Sequence, residues 1–194
     1  MSILLDRSNN NSGDDYAVAH KAGVTHLYAK ASESTGFTDA TYKPRIAAAR
    51  SAGMVVGGYH FAGHADPIAE ATFFLNIVGK PPAGHLRPCL DLESGEDAAW
   101  TAAFVEHCHK TLGYWPALYG NTSTIPALRA ANPSIRACPW WRAEYSVNDG
   151  KQHPLQGGGG AGDAQRSCLG RHGDGHRRER EVRCHAPDQR IEPG

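Results

Sequence analysis

The sequence predicts an α/β fold, an irregular TIM-like (β/α) barrel of parallel strands and connecting helices. Short apolar runs rich in branched and aromatic residues alternate with segments of helical periodicity, about five or six times in series. Such a series implies parallel strands joined by right-handed crossovers, in an open sheet or a barrel. The glycine pair that follows one strand, Gly57-Gly58, continues as Tyr-His-Phe without the Lys-Ser/Thr of a phosphate loop. Its sequence therefore favours the barrel.

The strands are predicted from short runs bounded by turn residues. Five of them cover residues 3–5, 25–30, 54–61, 87–92 and 116–119, and a sixth runs through Ala137 to Trp141.

The helices occupy the windows between these strands, and several carry boundary signals. They are predicted at about residues 14–22, 40–52, 67–78, 98–112 and 123–131. Asp14 and Asp15 suit a first helical turn, and Asp66-Pro67 reads as a cap followed by a proline at the first helical position. Gly23 and Gly53 are predicted to end the first two helices.

Composition changes abruptly near residue 150, which divides the chain into a domain at 1–150 and a tail at 151–194. Every Phe, Tyr and Trp precedes the break, whereas the tail holds nine Gly, seven Arg and four His. Such a tail buries too little apolar surface to offset its chain entropy. We expect it to be disordered, or to be a coding region read out of frame, and the barrel to be incomplete at its C-terminal end.

Charge and cysteine content exclude several classes of protein. Lys plus Arg and Asp plus Glu each total 20, so no basic field favours nucleic acid. The five cysteines are odd in number and lack a C-x-x-C, which argues against a disulfide framework or a structural zinc site. Neither a signal peptide nor a membrane-spanning run of about 18 apolar residues is recognisable.

Acidic and aromatic side chains follow successive predicted strands. In a parallel barrel the active site forms at the carboxyl ends of the strands. The first strand ends in Asp6, the second in Lys30 with Glu33 beyond it, and the third in Tyr59-His60-Phe61. We expect these groups to converge on one rim.

The pair Asp91 and Glu93 ends the fourth strand. Residues two apart on a strand point to the same side, about 6.6 Å apart at roughly 3.3 Å per residue. A carboxylate close to another, or to apolar walls such as Phe61 and Trp141, holds its proton more tightly and can act as a general acid. Glycosidic bonds are cleaved by such carboxyl groups. The alternative is that either residue caps a helix or pairs with a surface lysine.

Four segments together resemble the strand-end motifs of glycoside hydrolase family 25, the lysozymes and phage endolysins that cut peptidoglycan. They are YAKASESTGFTD (28–39), GGYHFA (57–62), LDLE (90–93) and WRAEY (141–145). The resemblance covers roughly residues 3–145. It implies a flattened (β/α) barrel and cleavage of the β-1,4 bond between N-acetylmuramic acid and N-acetylglucosamine.

The resemblance also implies roles for individual residues. Glu93 becomes the proton donor, Asp91 the group that orients the 2-acetamido group, and Asp6 the carboxylate of the first strand. Tyr59 matches the family's G-x-Y-H-F tyrosine. Lys30 and Glu33 match K-A-T-E-G and are expected to form a buried ion pair or hydrogen-bond network, with substrate contact at Glu33. The aromatic residues expected to stack on sugar rings are Trp141 and Tyr145.

The family's last-strand carboxylate has no match here, because Asp149, Asp163 and Asp174 lack a strand-like context. Two alternatives therefore stay open: a catalytically inactive glycan-binding module and a chitinase-like barrel glycosidase. The leading expectation is a monomeric peptidoglycan hydrolase that needs neither metal nor organic cofactor and does not bind nucleic acid or membrane. Without a signal peptide, it is expected to be made in the cytoplasm and released to the wall as a phage lysin is.

Overall fold

A computed structural model describes residues 3–143 of the chain. Strands and helices alternate along this part of the molecule. The strands are β1 (Ile3–Arg7), β2 (Val24–Glu33), β3 (Phe37–Thr38), β4 (Val55–Phe61), β5 (Cys89–Asp91), β6 (Ala117–Asn121) and β7 (Trp140–Ala143). The helices are α1 (Tyr16–Lys21), α2 (Tyr42–Ser51), α3 (Pro67–Val78), α4 (Ala98–Leu112), α5 (Thr124–Ala131) and α6 (Pro133–Ala137).

The strands form one curled sheet in the order β1-β2-β4-β5-β6-β7. All pairs along this order are parallel, and the short β3 adds an antiparallel pair to the end of β2. Within residues 3–143 no pairing joins β7 back to β1, so the sheet is an open part of a barrel. The predicted α/β class and irregular, incomplete barrel are confirmed.

The sheet separates two buried clusters because side chains alternate along each strand. The outer face packs against the helices, through residues such as Leu27, Leu90 and Leu118 on strands and Phe74 and Phe104 on helices. The inner face carries a smaller cluster, composed of Leu4, Tyr28, Tyr59, Leu86, Cys89, Ala117, Tyr119 and Trp141. Every candidate site residue in strands β1 to β7 can therefore be assigned to a face.

The glycine pair of β4 is required by packing on both faces. A Cβ on Gly57 would lie 2.7 Å from the Tyr28 ring and from the Leu86 Cβ, inside the curled sheet. A Cβ on Gly58 would lie 2.8 Å from the Tyr42 hydroxyl and from a Val78 methyl, on the outer face. Large rings approach the strand from both sides, so neither position has room for a side chain.

Local capping explains why two helices match their predicted bounds. Asp66 accepts hydrogen bonds from the backbone N–H groups of Ile68 and Ala69, with Pro67 at the start of α3. Asp97 caps α4 in the same way, accepting from Trp100. Gly23 and Gly53 follow α1 and α2 with φ of 96° and 90°, which confirms them as helix ends.

The region before the last described strand differs from its prediction. The predicted sixth strand, Ala137 to Trp141, begins instead inside α6, and β7 occupies Trp140–Ala143. Asn132 caps α6 through the backbone N–H of Ser134, and Pro133 stands at its first turn. This short helix and the hairpin strand β3 were both missed, because each depends on only a few residues.

The predicted boundary at residue 150, the tail at 151–194 and Tyr145 all lie outside the described residues and stay predictions. Over residues 3–143, no helix combines the length and apolar character needed to cross a membrane.

Candidate active site

Two of the predicted carboxylates lie on the inner face of the sheet. Asp6 follows Leu4 by two residues on β1, and Asp91 follows Cys89 by two residues on β5, so each shares the face of its inner-cluster neighbour. Asp6 and Asp91 are largely buried, with 9% and 5% of their surface exposed. The strands thus bring both carboxylates to the carboxyl-terminal part of the inner face.

The third carboxylate, Glu93, lies just past the end of β5 and is exposed. The strand was predicted to reach residue 92, but ladder pairing ends at Asp91. The Leu92 N–H still donates to the Tyr119 carbonyl at 2.9 Å, which keeps the chain beside β6 up to the residue before Glu93. Asp91 is therefore enclosed, while Glu93 is accessible to a ligand.

Aromatic side chains extend the row that contains Asp91. Phe61, Asp91, Tyr119 and Trp141 are in direct register across β4, β5, β6 and β7. The Trp141 ring lies parallel to the Tyr28 ring at a centroid distance of 5.0 Å and contacts the Tyr119 ring at 4.5 Å. Trp141 is only 1% exposed, so it forms the floor of the inner face.

Tyr59 and Lys30 form the next row toward the interior, in register with Cys89. Tyr59 is 7% exposed. The Lys30 ammonium contacts a Glu33 carboxylate oxygen at 2.5 Å, so the expected ion pair is present. Only the lysine end of the pair is largely buried, because 11% of the Lys30 side chain but 43% of the Glu33 side chain is exposed.

The loop that carries Glu93 is fastened to the loop after β4. The Ser94 hydroxyl donates to the Ala62 carbonyl at 3.0 Å, and His64 Nε2–H donates to the Ser94 carbonyl at 2.8 Å. The Trp100 indole N–H donates to the Ala65 carbonyl at 2.7 Å. These bonds hold the loop that carries Glu93 against the loop after β4.

The loop after β4 is in turn held from the outer face by Glu70 of α3. Its carboxylate accepts hydrogen bonds from the backbone N–H groups of Gly63 (3.0 Å) and Ala65 (2.7 Å). It also accepts from His60 Nε2–H at 2.8 Å, since a carboxylate cannot donate. Burial alone would raise the pKa of Glu70, but the bonds from His60, Ala65 and Gly63 outweigh it and lower that pKa.

His60 therefore does not stand on the rim with Tyr59 and Phe61, as its place at the strand end suggested. Alternation turns it to the outer face, where its ring packs against the rings of Phe74 and Phe104, each at a centroid distance of 5.4 Å. Ser32 Oγ lies 2.8 Å from its Nδ1. His60 and Glu70 are completely buried, so this pair has no access to substrate.

Sequence reasoning missed two inner-face aromatic residues. Tyr119 belongs to the row of Asp91, and the alternation of Leu118 with Tyr119 in the predicted strand was the available signal. Phe37 lies inside the motif 28–39, but its position on a hairpin required β3, which two residues do not reveal. In the described part of the chain, no group of three or more His, Cys, Asp or Glu residues is arranged to hold a metal ion.

Comparison with known proteins adds independent information to this geometry. The family model of glycosyl hydrolases family 25 matches residues 5–162. Among curated proteins, the N,O-diacetylmuramidase of Chalaropsis sp. is 27% identical over 138 residues, which is 61% of this chain and 65% of that protein. The autolytic lysozyme of Clostridium acetobutylicum is 34% identical over 74 residues, covering 38% of this chain and 23% of the relative. The chain thus spans less than two thirds of the length of these two relatives.

Solved structures show the same fold. A muramidase from Trichobolus zukalii superimposes with a TM-score of 0.69 at 26% identity, covering 78% of this chain and 81% of the other. The CTP1L endolysin superimposes with a TM-score of 0.64 at 31% identity, covering 76% of this chain and 54% of the endolysin. Each superposition therefore covers about three quarters of this chain.

Proposed function

Because the chain belongs to glycosyl hydrolases family 25, we propose that it is a peptidoglycan hydrolase that cleaves the bond between N-acetylmuramic acid and N-acetylglucosamine. The observation that carries this proposal is the placement of Asp91 and Glu93. One carboxylate is enclosed at the end of β5, and the other is exposed two residues later at the same end of the curled sheet. Glycosidases use two such carboxyl groups at one bond.

Glu93 is the proton donor in this proposal. Its exposed carboxyl group gives its proton to the glycosidic oxygen as the bond from that oxygen to the anomeric carbon breaks. The leaving sugar departs as an alcohol, and Glu93 is left as a carboxylate. It then takes a proton from the water that attacks the anomeric carbon, so the residue returns to its starting state.

Asp91 assists the 2-acetamido group of the substrate, which serves as the nucleophile. The 2-acetamido oxygen attacks the anomeric carbon, and the enclosed Asp91 carboxylate orients the acetamido N–H and stabilises the positive charge that develops on the group. Water then opens the cyclic intermediate. Asp6, largely buried on the inner face of β1, is a further carboxyl group of the proposed site.

The remaining candidates contribute to substrate binding. Glu33 lies on the row of Asp91, Tyr59 lies on the neighbouring row, and Trp141 supports the floor. Tyr145, beyond the described residues, is proposed as a further stacking residue. Since polar and aromatic groups line this face, it suits an N-acetylated sugar, which has apolar ring faces and polar edges.

The muramidase relatives and the endolysin support peptidoglycan as the partner and the bacterial wall as the place of action. We propose that the protein acts as a monomer after release to the wall, in the manner of a lysin.

The test is Glu93→Gln, measured by dye release from labelled cell walls. The amide keeps the shape of the side chain but has no acidic proton, so we expect hydrolysis to fall by about 10²- to 10⁴-fold while binding to walls is retained. Glu106→Gln, on the exposed surface of α4, is the matched control and should keep full activity. Turnover of Glu93→Gln within about threefold of the parent would contradict the assignment.

The same assay separates the alternatives. Binding of the parent protein to walls without dye release would indicate a glycan-binding module. Cleavage of chitin oligomers in preference to glycan containing muramic acid would indicate a chitinase-like enzyme.

A further inference from the structure

An exposed aromatic residue lies beside the candidate active site on the β2–β3 hairpin. Phe37 is 39% exposed, and its partner across the hairpin is Glu33. The turn between them includes Ser34 with a φ of 49°, and the Ser34 N–H donates to the Phe61 carbonyl at 3.2 Å, which ties the turn to the end of β4. In the described part of the chain, the other large exposed apolar residues, Val18 and Ile68, lie on helices α1 and α3.

A partly buried cation contacts the ring of Phe37 together with a second ring. The Lys30 ammonium lies 5.3 Å from the Phe37 ring centroid and 4.9 Å from the Phe61 ring centroid, within the range of cation–π attraction. The Glu33 carboxylate contacts the same ammonium. Two aromatic rings are thus fixed by one lysine whose charge is balanced by a partly exposed carboxylate.

The strand register places this group on the row of Asp91. Phe37 pairs with Glu33, Glu33 with Phe61, and Phe61 with Asp91. Three steps of about 4.8 Å between strands put Phe37 about 14 Å from Asp91 along the row. That distance exceeds the length of a single sugar unit, so a ring bound at the carboxylates does not cover Phe37.

We propose that Phe37, Phe61 and Lys30 form a distal subsite that binds an N-acetylated sugar ring of the glycan, away from the bond that is cleaved. This inference rests on the proposed function and names a second place on the same face where the polymer is held. The apolar face of a pyranose ring packs on the exposed Phe37 ring. Glu33, with its exposed carboxylate, accepts a hydrogen bond from a hydroxyl or acetamido N–H of the same sugar.

A subsite of this kind makes binding depend on glycan length. A disaccharide spans the carboxylates and does not reach Phe37, whereas a hexasaccharide does. Phe37→Ala should therefore weaken binding of the hexasaccharide by roughly three- to tenfold, the effect of losing one aromatic contact, and leave the disaccharide unaffected. For hydrolysis, the same loss should appear in kcat/KM for long glycan only.

The experiment measures binding of peptidoglycan-derived disaccharide, tetrasaccharide and hexasaccharide by calorimetry, in the Glu93→Gln background so that no ligand is consumed. Phe37→Tyr should restore length-dependent binding, and Phe37→Leu, which keeps an apolar side chain without a ring, should not. Ile68→Ala, half exposed on α3, is the matched control and should bind every oligosaccharide as the Glu93→Gln parent does. Melting temperatures of all variants establish that each is folded.

Two results would overturn the proposal in distinguishable ways. If the Glu93→Gln protein binds the disaccharide and the hexasaccharide and the added Phe37→Ala leaves both affinities unchanged, the distal subsite is wrong and the proposed function stands. If the unsubstituted protein is folded but does not hydrolyse walls, and the Glu93→Gln protein binds none of the three oligosaccharides, the proposed function fails and the subsite fails with it. Selective loss of hexasaccharide affinity, restored by tyrosine, supports the subsite.

Discussion

The two faces of strand β4 hold polar groups for different purposes. On the outer face, His60 is bonded to Ser32 and Glu70, and Glu70 also accepts two backbone N–H groups, with aromatic rings closing over the imidazole. On the inner face, Tyr59 and Phe61 neighbour the row of carboxylates, and the chain emerges at the exposed Glu93. The same strand therefore separates a structural hydrogen-bond network on the outer face from the candidate catalytic residues on the inner face.

The difference teaches that residue type alone does not identify catalytic groups. A histidine bonded to a glutamate and a serine has the composition of a catalytic triad, yet His60 and Glu70 have no exposed side-chain surface. Asp91 and Glu93 form a less distinctive pair in sequence, but Glu93 is exposed and Asp91 lies two residues before it on the inner face. Which face a side chain occupies decides between the two interpretations.

The largest effect is expected at Asp91 on the inner face. In the proposed mechanism the Asp91 carboxylate stabilises the positive charge that develops on the substrate, so Asp91→Asn should lower wall hydrolysis by about 10²- to 10³-fold. The variant should stay folded, because the amide has nearly the same volume as the carboxylate and leaves no cavity. Dye release and urea denaturation measure the two quantities. A loss of stability without loss of activity per folded molecule would assign Asp91 a structural role instead.

The next largest effect is expected at Glu70 on the outer face, with the opposite profile. Glu70→Ala leaves His60 and the N–H groups of Gly63 and Ala65 without their acceptor in a buried site. Removing one partner of such a buried pair costs about 3–5 kcal/mol in the free energy of unfolding. Urea denaturation checks this loss, and Glu106→Gln on the exposed face of α4 is the control. A loss below about 1 kcal/mol would mean that water replaces the carboxylate.

Acid should reveal the same network without any truncation. The pKa of Glu70 is lower in the folded protein than in the unfolded chain, where it is about 4.3. At a pH between these two pKa values, the unfolded chain therefore binds more protons than the folded protein. The stabilisation from Glu70 is therefore present above about pH 4.3 and is lost as the pH falls through the folded pKa. The free energies of unfolding of the parent and of Glu70→Gln, measured by denaturation at several pH values in this range, should converge at low pH. Parallel curves would contradict the lowered pKa.

The elements that sequence reasoning predicted well are those set by neighbouring residues. The bounds of α3 and α4 follow from capping by Asp66 and Asp97, and the carboxylates at strand ends follow from the parallel topology. The face occupied by His60 was not predictable, because alternation fixes relative directions and only tertiary packing tells which direction is inward. The exposure of Glu93 depends on where pairing between β5 and β6 ends, which is also a tertiary property. The division at residue 150 stays a prediction.

The adjacent glycines of β4 allow a direct comparison of the two faces. Gly57→Ala and Gly58→Ala should each destabilise the protein by about 1–3 kcal/mol, since both faces are tightly packed. Gly57→Ala should lie at the upper end, because the Leu86 Cβ is attached to the backbone and the Tyr28 ring is stacked on Trp141. On the outer side, the obstructing groups are the ends of the Tyr42 and Val78 side chains. Thermal denaturation of both variants measures which loss of stability is larger. A larger loss for Gly58→Ala would indicate that the inner face is packed less tightly than the outer face.

The smallest effect is expected at Trp100, which links the two faces through the loop after β4. Trp100→Phe keeps a ring against Phe104 but removes the hydrogen bond to the Ala65 carbonyl, at a cost of about 1 kcal/mol in the free energy of unfolding. Hydrolysis per folded molecule should stay within about twofold of the parent, because Glu70 still binds Ala65 and Ser94 still binds Ala62. Chemical denaturation and dye release measure the two effects side by side. A drop in activity of tenfold or more, at the same small loss of stability, would show instead that the hydrogen bond of the indole positions Glu93 for catalysis at the inner face.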